Sequence, residues 1–332
     1  MDKTLYNPFK KLEFKNRKCF LSGQDVKPGE ETTVFPKWLM DQFQLYEKPF
    51  KLLDESLATY GVLKVPCSER VFEDSFEPLE ETIEKAFNIG YSAVAELPSL
   101  LLFQWIGKLV YGMVYNELRI GIRQQQANGE EFLVSEGLMH KFGNLHAMLQ
   151  SLIRPLEFEE RTPWTIRIFK VDNSPEVFNY RDEINTLTFS LAMNDFGIIA
   201  CLQDNGANAI YHEKMLDEVQ QNQLKAIQYE ELIARFYYSN YLFNRLPEYN
   251  ILPTAEAVYI EAMPLRGFSS KPLFDVWQAK PYGQVLENFW KPWGLTLFEI
   301  IKDPDSPMSF LLNADGKFNS EVDRKFTDAS EK

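Results

Sequence analysis

The sequence is poor in the groups that most often announce a chemistry. Among 332 residues there are three cysteines and three histidines. Cys19, Cys67 and Cys201 cannot build a disulfide scaffold, and three histidines leave little room for a histidine-rich metal centre. Positive charge is scarce: 35 Lys and Arg stand against 48 Asp and Glu, a net charge of −13. Affinity for a polyanion comes from basic residues that release its counterions, so this balance argues against a bare nucleic-acid binder. The chain has no Gly-x-Gly-x-x-Gly, no Gly-Lys-Ser/Thr and no Gly-x-Ser-x-Gly, so neither a phosphate loop nor a nucleophile elbow is announced. No apolar run reaches the ~20 residues of a spanning helix. The most apolar stretch, residues 100–115, contains Gln104 and Lys108 and reads as a buried helix. Residues 1–18 hold six Lys or Arg with two acids, and no apolar segment follows them. That excludes an ordinary signal peptide. A cytoplasmic, acidic protein with reduced thiols and no membrane association is expected.

What is present is enough for a globular fold. Hydrophobic residues make up 45% and charged residues 25%, ample for a buried core. The length suggests about two domains. Residues 1–80 are punctuated by Ser22-Gly23, Pro28-Gly29, Pro36, Pro49, Pro66 and Pro78, which favours small loops and short elements. Helices are expected from Leu79 after Pro78, from Pro98 to about Gln126 and over 135–153. In the second of these, positions 102, 105, 106, 109, 110 and 113 form one apolar face, and Asn128-Gly129 ends it. Strand patterns follow at 165–171, 177–180, 187–192 and 197–202, with turn signals at Asn194-Asp195 and Asp204-Asn205-Gly206. An antiparallel meander near 164–212 is expected. Helices return at about 213–246 and 283–302. From Asn313 little remains to bury, so 313–332 reads as a mobile tail. The fold class is therefore α+β: an irregular N-terminal module over 1–80, then a mainly helical part over 81–312 with a short antiparallel sheet.

One stretch looks like a damaged motif. A treble-clef zinc site needs two Cys-x-x-Cys knuckles, whose four thiolates close a tetrahedron around Zn²⁺ at ~2.3 Å each. Cys19-Phe20-Leu21-Ser22-Gly23 begins like the first knuckle and Cys67-Ser68-Glu69-Arg70 like the second. Ser22 and Arg70 stand where thiolates would be; serine is a poor zinc ligand and arginine is none. Between them runs Val34-Phe35-Pro36-Lys37-Trp38-Leu39. Residues 18–90 thus resemble the HNH-endonuclease-like treble-clef family. Its members often carry an acid-His pair, then an apolar-apolar-Pro-x-Trp-Leu run, between a first Cys-x-x-Cys and a second Cys-x-x-Cys-Asn. Here Thr32-Thr33 replaces the acid-His pair and Val71 the Asn, while the segment from Phe72 to Glu80 looks like the usual lead into the family's helix. The resemblance implies a treble-clef-like module. In active members a histidine activates water against a phosphodiester and a second site holds a divalent ion. Thr33 is no general base near neutral pH, so the family's catalytic residues do not carry over. The reading from composition alone stays open beside this: two cysteines that are merely small buried hydrophobes in an unrelated loop region.

Other candidates read as structural. His140 and His146 are six apart and about 120° off each other on a helix, unlike an i, i+4 ligand pair. His212 precedes Glu213, a helix-start acid. Asp195 and Asp204 fall at turn signals, where aspartate is expected anyway. Cys201 lies in an apolar strand, where burial makes a thiol inert. Phe236, Tyr237, Tyr238, Tyr241 and Phe243 have helical spacing and suit a packing face better than a stacking platform. Trp290 and Trp293 flank Lys291-Pro292 and look like the end of an element.

Two functions from different classes are consistent with these residues. One is a non-catalytic descendant of an HNH-type nuclease that acts as a binding or structural module. The other is an enzyme with an acid/base site in the C-terminal α+β part that no motif reveals. No catalytic residue, cofactor or metal is assigned; Cys19, Ser22, Cys67 and Arg70 are vestigial knuckle positions and Thr33 a lost base position. The resemblance allows nucleic acid as a partner, and the charge disfavours it: residues 1–80 carry 12 basic and 14 acidic groups, and 81–332 carry 23 and 34.

Overall fold

The structure is a computed structural model that describes residues 5–322, except 11, 13, 15, 16, 130, 131, 160, 255, 268 and 269. It is an α+β protein whose chain forms two compact units. The first comprises Met1–Ile89, Glu96–Pro163 and Leu246–Met263; the second comprises Gly90–Ala95, Trp164–Arg245 and Pro264–Lys332. These units cut across the division expected at residue 80, because the long helix and a late pair of strands complete the first one.

The first unit is organised around the helix Ser99–Ala127. Pro98 sits at its N-cap, and Asn128 caps its C-terminal end before Gly129 turns away at φ +73°. Leu102, Trp105, Ile106, Leu109, Val110 and Met113 are all buried, as the apolar face requires. Beside it lies the helix Glu136–Leu149, whose first turn is capped by Ser135 Oγ accepting from Leu138 N at 3.3 Å. Glu31–Thr33 pairs antiparallel with Lys64–Pro66, and Pro49–Lys51 pairs with Leu57–Thr59. Helical structure starts at Glu69, ten residues before Leu79, and passes through a wide π turn at Phe72–Phe76 into the helix Glu77–Ile89. Pro78 has no N–H to donate, and the π turn lets the chain run through it without a break. A three-stranded sheet sets Val258–Ala262 between Tyr249–Pro253, antiparallel, and Leu156–Glu159, parallel.

The second unit holds a five-stranded sheet in the order Gln223–Lys225, Thr165–Asp172, Phe196–Cys201, Thr188–Met193, Phe178–Glu183. The last three form the expected meander. Thr165–Asp172 pairs with Phe196–Cys201 rather than with its sequence neighbour, and Gln223–Lys225 adds a parallel edge. That edge strand splits the helix expected over 213–246 into Glu213–Val219 and Ala226–Tyr241. The two central strands are buried along their whole length. Tyr229 lies against them, its hydroxyl 2.9 and 2.8 Å from the carbonyls of Leu191 and Ile198. Only glycine fits at position 197 below it, since a Cβ there would come within 2.2 Å of the tyrosine ring. The helix Ala279–Trp290 packs on Ala226–Tyr241, and Trp290 Nε1 donates to Ile227 O at 3.1 Å. Residues 313–322 are held in place rather than free. Gln228 Nε2 donates to Asn319 O at 2.7 Å, and Phe318 and Val322 pack on the core. Residues 323–332 lie outside the described residues.

Candidate functional site

Cys19 to Gly23 close into a tight turn. Gly23 N donates to Cys19 O at 2.9 Å, and Cys19 N to Gln24 O at 2.8 Å. Gly23 has φ +70°, and a Cβ there would meet the ring of Tyr6 at 2.4 Å, so the turn needs this glycine. One main-chain bond ties the turn to the residue before the second cysteine, Phe20 N to Pro66 O at 2.8 Å, and Cys67 N is itself held by Glu30 O at 3.2 Å. The two thiols consequently meet. The Cys19 thiol has Cys67, Ser22 and the Ser68 main chain as neighbouring donors, while the Cys67 thiol itself donates to Ser68 O at 3.6 Å. Both cysteines are free and buried. These donors, the Cys67 thiol foremost, hold the Cys19 thiol below the ordinary range against the opposing effect of burial. Cys67 moves the other way, raised first by the hydrogen bond to Cys19 and then by burial, with Lys108 pulling it partly back.

Of the four positions that the sequence singles out, Cys19 and Ser22 share the turn and Cys67 lies beside it, while the Arg70 side chain is 81% exposed and its Nε donates to Asp74 at 3.3 Å. The buried cation that acts on Cys67 is Lys108. Its ammonium bonds to Glu80, whose Oε2 accepts from Trp38 Nε1 at 3.1 Å and Trp105 Nε1 at 3.0 Å. Trp38, the tryptophan of the Pro-x-Trp-Leu run, is thus part of the unit's internal scaffold. Thr33 Oγ1 donates to Phe35 O at 2.7 Å and holds the turn into that run. Val71 is a buried helix residue. Sequence reasoning missed Glu80. Its signal was the lone Lys108 in an apolar face, since a buried lysine demands an acid. Among the described residues no group of three or more His, Cys, Asp or Glu could hold a metal ion.

A cavity of about 590 Å³ in the first unit is lined in part by Arg17, Arg119, Glu30, Glu31 and Pro66. Its carboxylates are already engaged: Glu31 with Lys64 at 2.7 Å, and Glu30 with Lys27 at 3.6 Å. The backbone of the cysteine turn is also held from the helix Glu136–Leu149. His146 Nε2 lies 2.9 Å from Phe20 O and donates there, while Nδ1 faces Gln150 Nε2 at 3.4 Å. Burial pushes the His146 pKa down to about 4, so the ring is a neutral structural donor.

The second unit holds more catalytic residue types, and they satisfy one another. Asp204 accepts from Thr165 Oγ1 at 2.8 Å, Asn208 N at 2.9 Å and Gly206 N at 3.1 Å. It is the acid of a turn and helix start, its pKa raised by burial and drawn back by these donors. His212 Nε2 meets Ser239 Oγ at 2.9 Å, which at first sight suggests a nucleophile and its base. The serine hydroxyl has two other acceptors for its single proton, Asn208 Oδ1 at 2.6 Å and Phe236 O at 3.1 Å. Burial, then Arg235, lowers the His212 pKa to about 3. Asp195 Oδ1 accepts from Tyr91 N at 2.7 Å, and Cys201 is buried with its thiol pushed up by burial. Of the aromatic run, Phe236 and Tyr238 are buried and Tyr241 is exposed. No helix among the described residues is long and apolar enough to cross a membrane. In comparisons with known proteins, the chain matches no family model, no curated protein and no solved structure.

Proposed function

We propose that this chain is a non-catalytic descendant of an HNH-type nuclease, kept as a binding and structural module. The observation that carries the reading is the meeting of Cys19, Ser22 and Cys67 at a turn, a strand end and a helix start, in the order a treble clef uses. The chemistry at the site supports the loss of activity. Thr33 spends its hydroxyl on Phe35 O, Arg70 pairs outward with Asp74, and His146 is spent on the knuckle backbone. Packing and hydrogen bonds do the crosslinking work that a tetrahedral zinc would do. The reading is tested on the purified chain by elemental analysis and by plasmid nicking with Mg²⁺, Mn²⁺ or Ni²⁺. It predicts no stoichiometric zinc and no nicking; either one appearing in a contaminant-free preparation overturns it.

A further inference from the structure

The segment between Cys19 and Cys67 is built from small pieces. Its strands, Glu31–Thr33, Pro49–Lys51, Leu57–Thr59 and Lys64–Pro66, have three residues each, and its α-helix, Lys37–Gln42, has six. Elements this short have little stability of their own and depend on ties between distant parts of the chain. One such tie is the bond from Phe20 N to Pro66 O at 2.8 Å. It joins the peptide unit between Cys19 and Phe20 to the one between Pro66 and Cys67, so the Cα of each cysteine belongs to one of the two joined planes. Pro66 has no N–H to return the bond, and Phe20 O faces His146 Nε2 at 2.9 Å instead. The N–H groups of Cys19 and Cys67 bond elsewhere, to Gln24 O and Glu30 O. The two thiols are hydrogen-bond neighbours, and both are free and buried. A disulfide needs Cα atoms ~4.4–6.8 Å apart and side chains turned toward each other. Two cysteines that flank one main-chain bond with neighbouring thiols meet that need.

We infer that Cys19 and Cys67 are a disulfide pair, closed as the chain folds in oxidising surroundings, which staples the cysteine turn to the end of the strand Lys64–Pro66. The oxidant is a low-molecular-weight disulfide such as oxidised glutathione. One cysteine thiolate attacks it, forms a mixed disulfide and releases one glutathione thiolate. The second cysteine thiolate attacks the cysteine sulfur of that mixed disulfide, closes the protein disulfide and releases the second glutathione. Two electrons pass from the cysteines to the glutathione disulfide, and the two thiol protons end on the released glutathiones. Both steps take place before folding shields the thiols, and folding then locks the bond in. In reducing surroundings the same pair stays as thiols. A crosslink between residues this far apart in sequence restricts the unfolded chain strongly, so the oxidised form is the more stable one. The pair needs no metal and no nuclease ancestor, so its test stands apart from the proposed function.

The test is refolding of the full chain, unfolded and reduced in denaturant, by dilution into a mixture of oxidised and reduced glutathione, with alkylation of the remaining thiols and mass analysis of a digest. Of the three free thiols, one is expected to remain, Cys201, with Cys19 and Cys67 recovered in one linked peptide. The same mixture with denaturant kept in is expected to give at least about tenfold less of that peptide, because only the fold holds the two thiols together. The oxidised chain is expected to match the reduced chain in circular dichroism and to melt at least about 5 °C higher, and Cys67→Ser is expected to remove that oxidation-dependent rise. Three alkylated thiols after refolding, linkage of either cysteine to Cys201 instead, equal linkage in denaturant, or an oxidised chain that misfolds or melts lower would overturn the inference.

Discussion

In the first unit the buried polar side chains are few and partly ionic: Glu80 with Lys108 and two indoles, and a cysteine pair with one hydroxyl beside it. In the second they are many and mostly neutral: Asp204, Thr165, Asn208, Ser239, His212 and Asn240 form one connected chain of donors and acceptors. Glu231 adds a carboxylate that accepts from Phe310 N, Leu311 N and Ser309 Oγ. In the second unit Asp204, His212, Ser239 and Asn208 hydrogen-bond to one another, so residue types that suggest chemistry there serve the fold.

The strongest way to probe that contrast is acid. His146 and His212 have folded pKa values of about 4 and about 3, both below the ordinary 6.5. The unfolded chain takes up their protons first, so their contribution is complete above about pH 6.5 and is lost as pH falls toward the folded values. Each histidine tilts stability by up to about 1.4 kcal/mol per pH unit in that window. Denaturant unfolding at a series of pH values should show this slope, and His146→Gln should flatten it. An unchanged slope in the variant would free the imidazole from its structural role. Next in size is Trp105→Ala, which removes a fully buried indole and a donor to Glu80. It is expected to cost about 3–5 kcal/mol, read from the denaturation midpoint. An unmoved midpoint would take the long helix out of the core. Ser239→Ala in the second unit is expected to cost about 1–2 kcal/mol, because it leaves Asn208 and His212 each short of a partner. A stabilised variant would break the view that this network is structural. Smallest of all, Arg70→Ala should leave the midpoint where it is, since the Arg70–Asp74 pair is exposed. A clear destabilisation would mean that Arg70 turns inward after all.

Parts of this architecture are legible in the sequence and parts are not, for physical reasons. The helix Ser99–Ala127 is bounded by Pro98 and Asn128-Gly129 and carries a sustained apolar face, so local signals suffice. The meander is legible because each of its turns lies between neighbouring strands. Pairings between distant segments are not. Nothing local marks Leu156–Glu159 as the partner of Val258–Ala262, or Gln223–Lys225 as the edge beside Thr165–Asp172. The early start of helix at Glu69 was hidden by Pro78, which normally opens a helix. At the site, the spacing of Cys19, Ser22 and Cys67 anticipates where they meet. The outward path of Arg70, and Lys108 as the buried cation, could not be read from spacing, because Arg70 pairs with the exposed Asp74 and Lys108 with Glu80, 28 residues away in sequence.

We propose that the cysteine turn descends from a zinc knuckle, with packing and hydrogen bonds in place of the metal. The most direct measurement is Co²⁺ titration of the full chain carrying Ser22→Cys and Arg70→Cys, with thermal unfolding followed alongside. Structural zinc sites bind with apparent free energies of ~10–16 kcal/mol in small peptides, so even a distorted four-thiolate site is detectable. A thiolate-to-Co²⁺ charge-transfer band, tetrahedral d–d absorption and a raised melting temperature are expected in the double variant. A double variant that folds and binds no Co²⁺ would contradict it and leave Cys19 and Cys67 as two buried thiols that never shared a metal.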